Sequence, residues 1–417
     1  MPPIFENNIF YKGRTMSGKT ILKLAKVQDS AIKGRNIIMR VDYNVPIDKG
    51  IIVDDTRIKA SLKTLKYLLD LKCRIVLISH LGRPKGNEPK YSLKPVAAYL
   101  QELIGTKVSF APDCIGEDAK SVVAQAAQGE VVLLENLRFH PEEKKNDPDF
   151  AKQLSEHGDF FIQEAFGALH RAHASTVGIS KYLDNAIGFL VQKELEYLDR
   201  SMINPARPFV AIIGGAKVSD KIDVLYSLID KADTIIIGGA MAYTFLAAQY
   251  SNVGKSLVEK EKIEDAKKII LKAFKNDVEL LLPADHTVVK EIKFDSPKEV
   301  TQSMAIGDDW IGVDIGPRTE ILFVAKIKVA KTVFWNGPLG IFETDAFAHG
   351  SIAISKAMAA ATRAGATTIL GGGDTLGVIK KANINPDQLS HCSTGGGASL
   401  EFIEGKNLPG LVALSQN

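Results

Sequence analysis

Arg40, Arg57, Arg83, Arg138 and Arg171 each stand near an Asp, Asn or His, and all precede residue 172, whereas every Gly-Gly pair in the chain lies beyond residue 213. The two features grip anions in different ways. A guanidinium offers a planar fork of N–H donors that matches carboxylate and phosphate oxygens. A glycine turn at a helix start lets backbone N–H groups close on a phosphate. The split implies two ligand surfaces, one for a small acid in the first half and one for a nucleotide in the second.

In the first half, Arg40-Val41-Asp42-Tyr43-Asn44-Val45-Pro46 follows the apolar run Ile37-Ile38-Met39, so the alternate residues Arg40, Asp42 and Asn44 share a face. Asp54-Asp55-Thr56-Arg57, Ser79-His80-Leu81-Gly82-Arg83-Pro84, Asn136-Leu137-Arg138-Phe139 and His170-Arg171-Ala172-His173 each set an arginine at or near a strand end or turn. One such arginine alone reads more readily as a surface ion pair. Together they describe a cage for a small anion.

In the second half, Thr368-Ile369-Leu370-Gly371-Gly372-Gly373-Asp374-Thr375 runs from strand through a bare turn into a helix, with Asp374 placed to hold Mg²⁺ beside a phosphate. Standing alone, the same motif also reads as a tight turn with Asp374 as a plain N-cap. Ser393-Thr394-Gly395-Gly396-Gly397-Ala398-Ser399 offers a second N–H cradle. Gly214-Gly215-Ala216-Lys217-Val218-Ser219-Asp220-Lys221 puts two lysines four apart after a strand, on one face if a helix has begun.

The elements that must carry these motifs are short apolar runs: Ile37-Ile38-Met39, Ile75–Ile78, Val131–Leu134, Phe209–Ile213, Ile235–Ile237, Leu280–Leu282, Val333–Trp335 and Thr368–Leu370. They read as strands buried on both faces, with helical patterns such as Ile58–Leu71 and Ile352–Ala364 between them, the rhythm of parallel α/β sheets. The expected architecture is α/β: two doubly wound, Rossmann-like domains joined by a hinge helix. Val191, Leu195, Leu198 and Met202 lie on one helical stripe that should end before Asn204-Pro205. The charge run Glu142-Glu143-Lys144-Lys145 reads as a solvated loop or helix start.

At 417 residues, 45% hydrophobic, the chain is long enough for two domains, and a formal net charge of +3 gives no bulk attraction to nucleic acid or membrane. Cys73, Cys114 and Cys392 are scattered and odd in number, which suits free thiols and a cytoplasmic location. Residues 1–16 read as a disordered leader. Its end overlaps Gly13-Arg-Thr-Met-Ser-Gly18-Lys19-Thr20, which fits the G-x-x-x-x-G-K-[ST] phosphate-loop pattern but lacks a buried strand before it. His170 and His173 have ligand spacing but no third partner for zinc. Neither a Gly-x-Ser-x-Gly elbow nor a framework around Cys392 supports acyl catalysis. A dehydrogenase would need a G-x-G-x-x-G turn that is absent, and a binding protein closing on a phosphorylated metabolite would leave Lys217, Asp374 and the glycine turns unexplained.

Taken in order, the segments at 40–46, 79–86, 135–140, 165–175, 214–221, 334–343 (Phe-Trp-Asn-Gly-Pro-Leu-Gly-Ile-Phe-Glu), 371–375 and 393–399 closely resemble the phosphoglycerate kinase family, from about residue 17 onward. The resemblance implies a glycolytic phosphotransferase moving the acyl phosphate of 1,3-bisphosphoglycerate to MgADP, giving 3-phosphoglycerate and MgATP, in a monomer whose domains close about a hinge. It implies a 3-phosphoglycerate domain at 17–187, a nucleotide domain at 188–404, and a tail at 405–417 that packs back on the first. By the same likeness, Asp42, Asn44, Arg57, His80, Arg83, Arg138 and Arg171 hold the three-carbon acid. Arg40, Lys217, Gly373 and Gly396 would serve the transferring phosphoryl group. Gly214, Gly238, Lys221, Asn336, Pro338, Glu343, Gly371, Gly372 and Thr375 complete the nucleotide site, and Asp374 holds the metal. The chain departs from the family at Gln163-Glu164, usually Asn-Asp, and at Ala240, where a third glycine is common.

The phosphate-loop match is expected to be inert. Lys19→Ala, or deletion of residues 1–15, should leave both the unfolding temperature and ATP-forming turnover unchanged. Loss of nucleotide binding in either variant would restore the loop as a site.

Overall fold

The computed structural model describes residues 21–414, so the leader with its Gly13–Thr20 pattern, and residues 415–417, lie outside the described residues. Two compact units are present, one running to Leu195 and taking in the segment from Asn407, the other Glu196–Lys406.

The first unit is built on a parallel sheet of strands β1 (Asn36–Arg40), β2 (Arg74–Ile78), β3 (Val108–Phe110), β4 (Val131–Leu133), β5 (Phe160–Gln163) and β6 (Asn185–Ile187), in the order β3-β4-β2-β1-β5-β6. Ile37, Ile38 and Met39 on β1 and Ile75, Val76 and Leu77 on β2 are wholly buried, as expected of strands covered on both faces. The order reverses at β1, where Arg40 lies level with Ile78 on β2 and Gln163 on β5. A reversal of this kind opens a crevice at the carboxyl ends of the strands, and β1, β2, β4 and β5 all send their arginine motifs there.

The second unit repeats the plan with β7 (Phe209–Ile213), β8 (Thr234–Ile237), β9 (Glu279–Leu281), β10 (Thr332–Asn336), β11 (Thr367–Gly371) and β12 (His391–Cys392), in the order β9-β8-β7-β10-β11-β12. Asn336 at the end of β10 is level with Ile213 on one side and Gly371 on the other. The glycine loops after β7, β10 and β11 thereby leave the sheet side by side. Strand β9 differs from expectation: it is the edge strand, with Glu279 exposed and its leucines only half covered. A small antiparallel sheet, His286–Val289 between Glu299–Val300 and Ile311–Ile315, was not legible from the sequence.

The helical pattern expected over Ile58–Leu71 is broken into Thr56–Ala60 and α1 (Leu62–Asp70). At the break, the Ser61 hydroxyl bonds the Ile58 carbonyl at 2.8 Å and meets the Tyr43 hydroxyl at 2.9 Å, a side-chain alternative to the helical ladder. Helix α2 (Phe189–Met202) buries Val191, Leu195, Leu198 and Met202 and ends before Asn204-Pro205. The division between the units falls inside it, after Leu195.

Glu164 and Ala240, where the chain departs from the family pattern, have local explanations. Ala240 has φ −65°, open to any residue, so no glycine is needed. Glu164 is buried, and a Cβ on Gly188 would lie 1.9 Å from its Oε2, so the longer acid occupies space that this glycine leaves. Its Oε1 accepts from Thr64 Oγ1 at 2.5 Å and from the Leu190 amide at 3.0 Å, while Thr64 Oγ1 also accepts from the Phe189 amide at 3.0 Å. These two side chains cap the start of α2.

Burial pushes the Glu164 carboxyl up to about 8, against the pull of those donors. A raised acid binds its proton more tightly folded than unfolded, so its contribution is complete below the ordinary value of 4.5 and is lost as pH rises through about 8. Glu164→Gln should flatten the fall in unfolding temperature between those limits and leave the variant more stable than the parent at pH 8.5, at about 1.4 kcal/mol per unit of displacement. An unchanged pH profile would show that Glu164 is ionised in the fold.

Candidate active site

At the carboxyl end of β1 the guanidinium of Arg40 is 1% exposed and held on three sides. Nε donates to Ser175 Oγ at 2.9 Å, Nη1 to the Val41 carbonyl, and Nη2 meets His80 Nδ1 at 3.0 Å. Of the five N–H donors of a guanidinium, two remain for a ligand. Because His80 receives this bond at Nδ1, the neutral ring carries its proton on Nε2. Burial holds its pKa well below the usual value, reinforced by Arg40, Arg138, Arg171 and Arg57.

The alternation read from the sequence continues past the strand: Val41, Tyr43 and Val45 enter the core while Asp42 and Asn44 stay half-buried. Asp42 Oδ2 pairs with Arg57 Nη1 at 3.3 Å, and the same nitrogen donates to the Asn44 carbonyl at 2.9 Å. Asn44 Oδ1 accepts from the Gly82 amide at 2.8 Å, and Arg138 Nη1 donates to the Gly82 carbonyl at 2.6 Å. Arg138 is buried, its Nε is without a partner, and burial with Arg171 and Arg40 nearby lowers it to about 10. Arg171 Nε donates to His170 Nε2 at 3.0 Å. Arg83, on the loop after β2, is exposed.

Two residues hold this edge in place without having stood out in the sequence. Asn136 accepts from the amides of Leu81 and Arg138 at 3.1 and 3.0 Å and donates to the carbonyls of Leu81 and Tyr91 at 2.8 and 2.9 Å. It ties the loops after β2 and β4 together. Glu143, expected in a solvated stretch, is instead fully buried. It accepts from the Ser175 amide at 3.0 Å and the Ser175 hydroxyl at 2.7 Å, with His173 Nδ1 3.5 Å away. The run Glu142–Lys145 does start a helix, Pro141–Lys145, but that helix turns one acid inward.

In the second unit the first turn of α3 (Gly373–Lys381) follows Gly372 at φ 92°, which has no side chain to cap it, so the leading amides are left for a ligand. Thr375 is buried: its hydroxyl donates to the Gly371 carbonyl at 2.8 Å and accepts from the Gly337 amide at 2.7 Å. It clamps two loops. Asp374 and Glu343 are exposed carboxylates. Lys221 donates to Asn336 Oδ1, and burial lowers its pKa against Asp220, Asp374 and Glu404. Asn336 is buried with Nδ2 unpartnered. The helical reading of Lys217 and Lys221 does not hold, because the helix begins only at Ile222 with Lys221 as its N-cap. Lys217 is exposed.

The glycines divide into two kinds. A Cβ on Gly214 would lie 2.1 Å from the Pro338 carbonyl, so that glycine is required by loop-on-loop packing, while one on Gly238 would lie 2.3 Å from Leu339 Cδ2 and displace that side chain. At Gly215, Gly373 and Gly396 a Cβ would meet nothing within 4 Å. Gly396 precedes α4 (Gly397–Ile403), and Ser393 Oγ accepts from the Gly395 amide at 3.1 Å.

One unit thus presents a crowd of guanidinium groups around a neutral histidine, and the other a bare turn at a helix start, which are the equipment of a phosphotransferase. A family model described as phosphoglycerate kinase matches residues 27–406. Among similar proteins, a phosphoglycerate kinase of Elusimicrobium minutum is 55% identical, covering 94% of this chain and 99% of its own length. One of Triticum aestivum named as cytosolic is 50% identical over 93% of this chain and 97% of its own. The solved structure of phosphoglycerate kinase from Coxiella burnetii superposes with a TM-score of 0.84 at 38% identity, covering 95% of this chain and 99% of that one. The chain belongs to the phosphoglycerate kinase family. Its reaction is the glycolytic transfer of the acyl phosphate of 1,3-bisphosphoglycerate to ADP, giving 3-phosphoglycerate and ATP.

The two kinds of glycine separate experimentally. Gly214→Ala should cost on the order of 1–3 kcal/mol of stability by overpacking a backbone contact. Gly373→Ala should unfold no earlier than the parent but raise KM for ADP severalfold, because its methyl group enters the open approach to the amides. Thermal unfolding and steady-state kinetics report the two effects, and an unaltered KM in Gly373→Ala would remove that turn from the nucleotide site.

Proposed function

We propose that the first unit binds the three-carbon acid and the second the nucleotide, and that catalysis is alignment and charge neutralisation without a general base. The observation that carries this is the convergence of Arg40, Arg57, Arg138 and Arg171 on a histidine kept neutral. Such an edge attracts anions and removes no proton. None has to be removed, since the attacking oxygen of ADP and the departing carboxylate are already anionic and the phosphoryl group passes between them as a loose, metaphosphate-like species.

In this reading Asp42, Asn44, Arg57, His80, Arg83, Arg138 and Arg171 seat 3-phosphoglycerate, and the two remaining N–H groups of Arg40 meet the phosphoryl group in transit. Lys217, exposed, follows that group from the nucleotide side. Lys221 and Asn336 take other phosphate oxygens, the buried Nδ2 of Asn336 being a donor in want of an acceptor. The amides at Gly371, Gly372, Gly373 and Gly396 close on the phosphates, with Thr375 holding their loops. Glu343 reaches the ribose hydroxyls, and Gly214, Gly238 and Pro338 shape the surface behind.

Asp374 suits Mg²⁺: an exposed carboxylate in the first turn of α3 supplies one hard oxygen, and that ion is commonly held by one or two carboxylates with substrate phosphates completing its shell. The bound ion would neutralise phosphate charge. Transfer also requires water to be excluded, for which we propose closure of the units about α2. The protein works as a cytoplasmic monomer; among the described residues no helix is long and apolar enough to cross a membrane.

Assays of ATP formation from 1,3-bisphosphoglycerate, with and without Mg²⁺, test the roles. Arg40→Ala should lower kcat on the order of a hundredfold, as for one preorganised donor, with little change in ADP affinity. Lys221→Ala should chiefly raise KM for ADP. A reversed pattern would sink the assignment of these two residues, and full turnover without Mg²⁺ would sink that of Asp374.

A further inference from the structure

Arg40 is wholly enclosed, yet its neighbours Arg138 and Arg171 carry the same charge. A buried cation among cations persists only if a counter-charge is fixed close by and its remaining donors are hydrogen-bonded. Asp42 is one candidate, but it already pairs with Arg57. The other carboxylate acting on Arg40 is the fully buried Glu143, on the short helix Pro141–Lys145 after the loop that carries Arg138.

We propose that Glu143 is a positioning residue for phosphoryl transfer, acting through Ser175 to fix the guanidinium of Arg40 and to balance its charge. The proposal rests on the reading that Arg40 meets the transferring group. The chain of bonds has one direction: Arg40 Nε donates to Ser175 Oγ at 2.9 Å, and the single hydroxyl proton of Ser175 goes on to Glu143 Oε1 at 2.7 Å. Oε2 accepts the Ser175 amide at 3.0 Å, so the serine is gripped at backbone and side chain by the two oxygens of one carboxylate.

This grip matters for direction as well as charge. The bonds from Nη1 to the Val41 carbonyl and from Nη2 to His80 fix one edge of the guanidinium, and the bond from Nε fixes the other. Released at Nε, the group can pivot about its remaining contacts, and a displacement of an ångström is enough to reduce catalysis sharply. The electrostatics agree. Burial pushes Arg40 downward, and Glu143 leads the charges that oppose it. Burial pushes Glu143 upward, yet His173, Arg40 and Ser175 together bring it below the usual carboxylate value.

The test uses the full chain with Glu143→Gln, Ser175→Ala, Arg40→Ala and the double variant Arg40→Ala/Glu143→Gln, each checked for folding by thermal unfolding and assayed for ATP formation. Glu143→Gln should lower kcat roughly tenfold, the scale of one hydrogen bond to a charged group, with KM for ADP unchanged. Ser175→Ala should lose kcat in the same direction. If Glu143 acts through Arg40, adding Glu143→Gln to Arg40→Ala should cost under about twofold more. Losses that multiply in the double variant, or an unchanged kcat in Glu143→Gln beside an impaired Arg40→Ala, would overturn the proposal and leave the role of Arg40 standing. A silent Arg40→Ala would overturn the reading on which it rests. Should Glu143→Gln fail to fold, Ser175→Ala decides, and an unaltered kcat there counts against the proposal.

Discussion

Burying positive charge is the constraint on which the first unit depends. Arg40 is dry enough for its field to be strong, and dryness is what makes an unbalanced guanidinium costly. The structure meets both demands by placing one carboxylate, Glu143, deeper than the arginines and connecting it to Arg40 through Ser175. His80 stays neutral in the same field and acts as an acceptor for Arg40. Asn136 then fixes the loops that present Gly82 and Arg138.

The second unit presents its donors by a different route. Its strands β7, β10 and β11 end level, and glycines such as Gly214 and Gly337 let the loops between them pack backbone against backbone. The surface left over is made of amides with no side chain in front of them, at Gly215, Gly373 and Gly396. Few side chains intervene, and Thr375 serves as the clamp between loops. Donors of this kind are held by the fold and need no ordering at each encounter with a ligand.

Much of this was legible in the sequence because it rests on local regularities. Double-sided apolar runs identified the parallel strands, and alternation after Met39 separated Arg40, Asp42 and Asn44 from Val41, Tyr43 and Val45. Where the sequence misled, the deciding contact came from far along the chain. Glu143 sits in a run of charges that looks solvated, and its burial is made tolerable by His173, Arg40 and Ser175, the last 32 residues later. The inward course of Lys221 depends on Asn336, 115 residues away, and not on helical spacing. Gly214 and Gly238 read as phosphate glycines in one dimension, and the close contacts that they also make, with Pro338 and Leu339, come from far along the chain.

The segment from Asn407 belongs to the first unit although the whole of the second is written before it. Its helix α5 (Pro409–Leu414) packs on the turn Ala174–Gly178, with the Gly410 amide donating to the Leu169 carbonyl at 2.9 Å. That turn contains Ser175. During synthesis, therefore, the helix that packs on the turn behind Arg40 is added only after the ribosome has finished the second unit. A chain cut short anywhere in the second half lacks the helix that packs on the turn holding Ser175, so the arginine edge is braced only in the full-length chain.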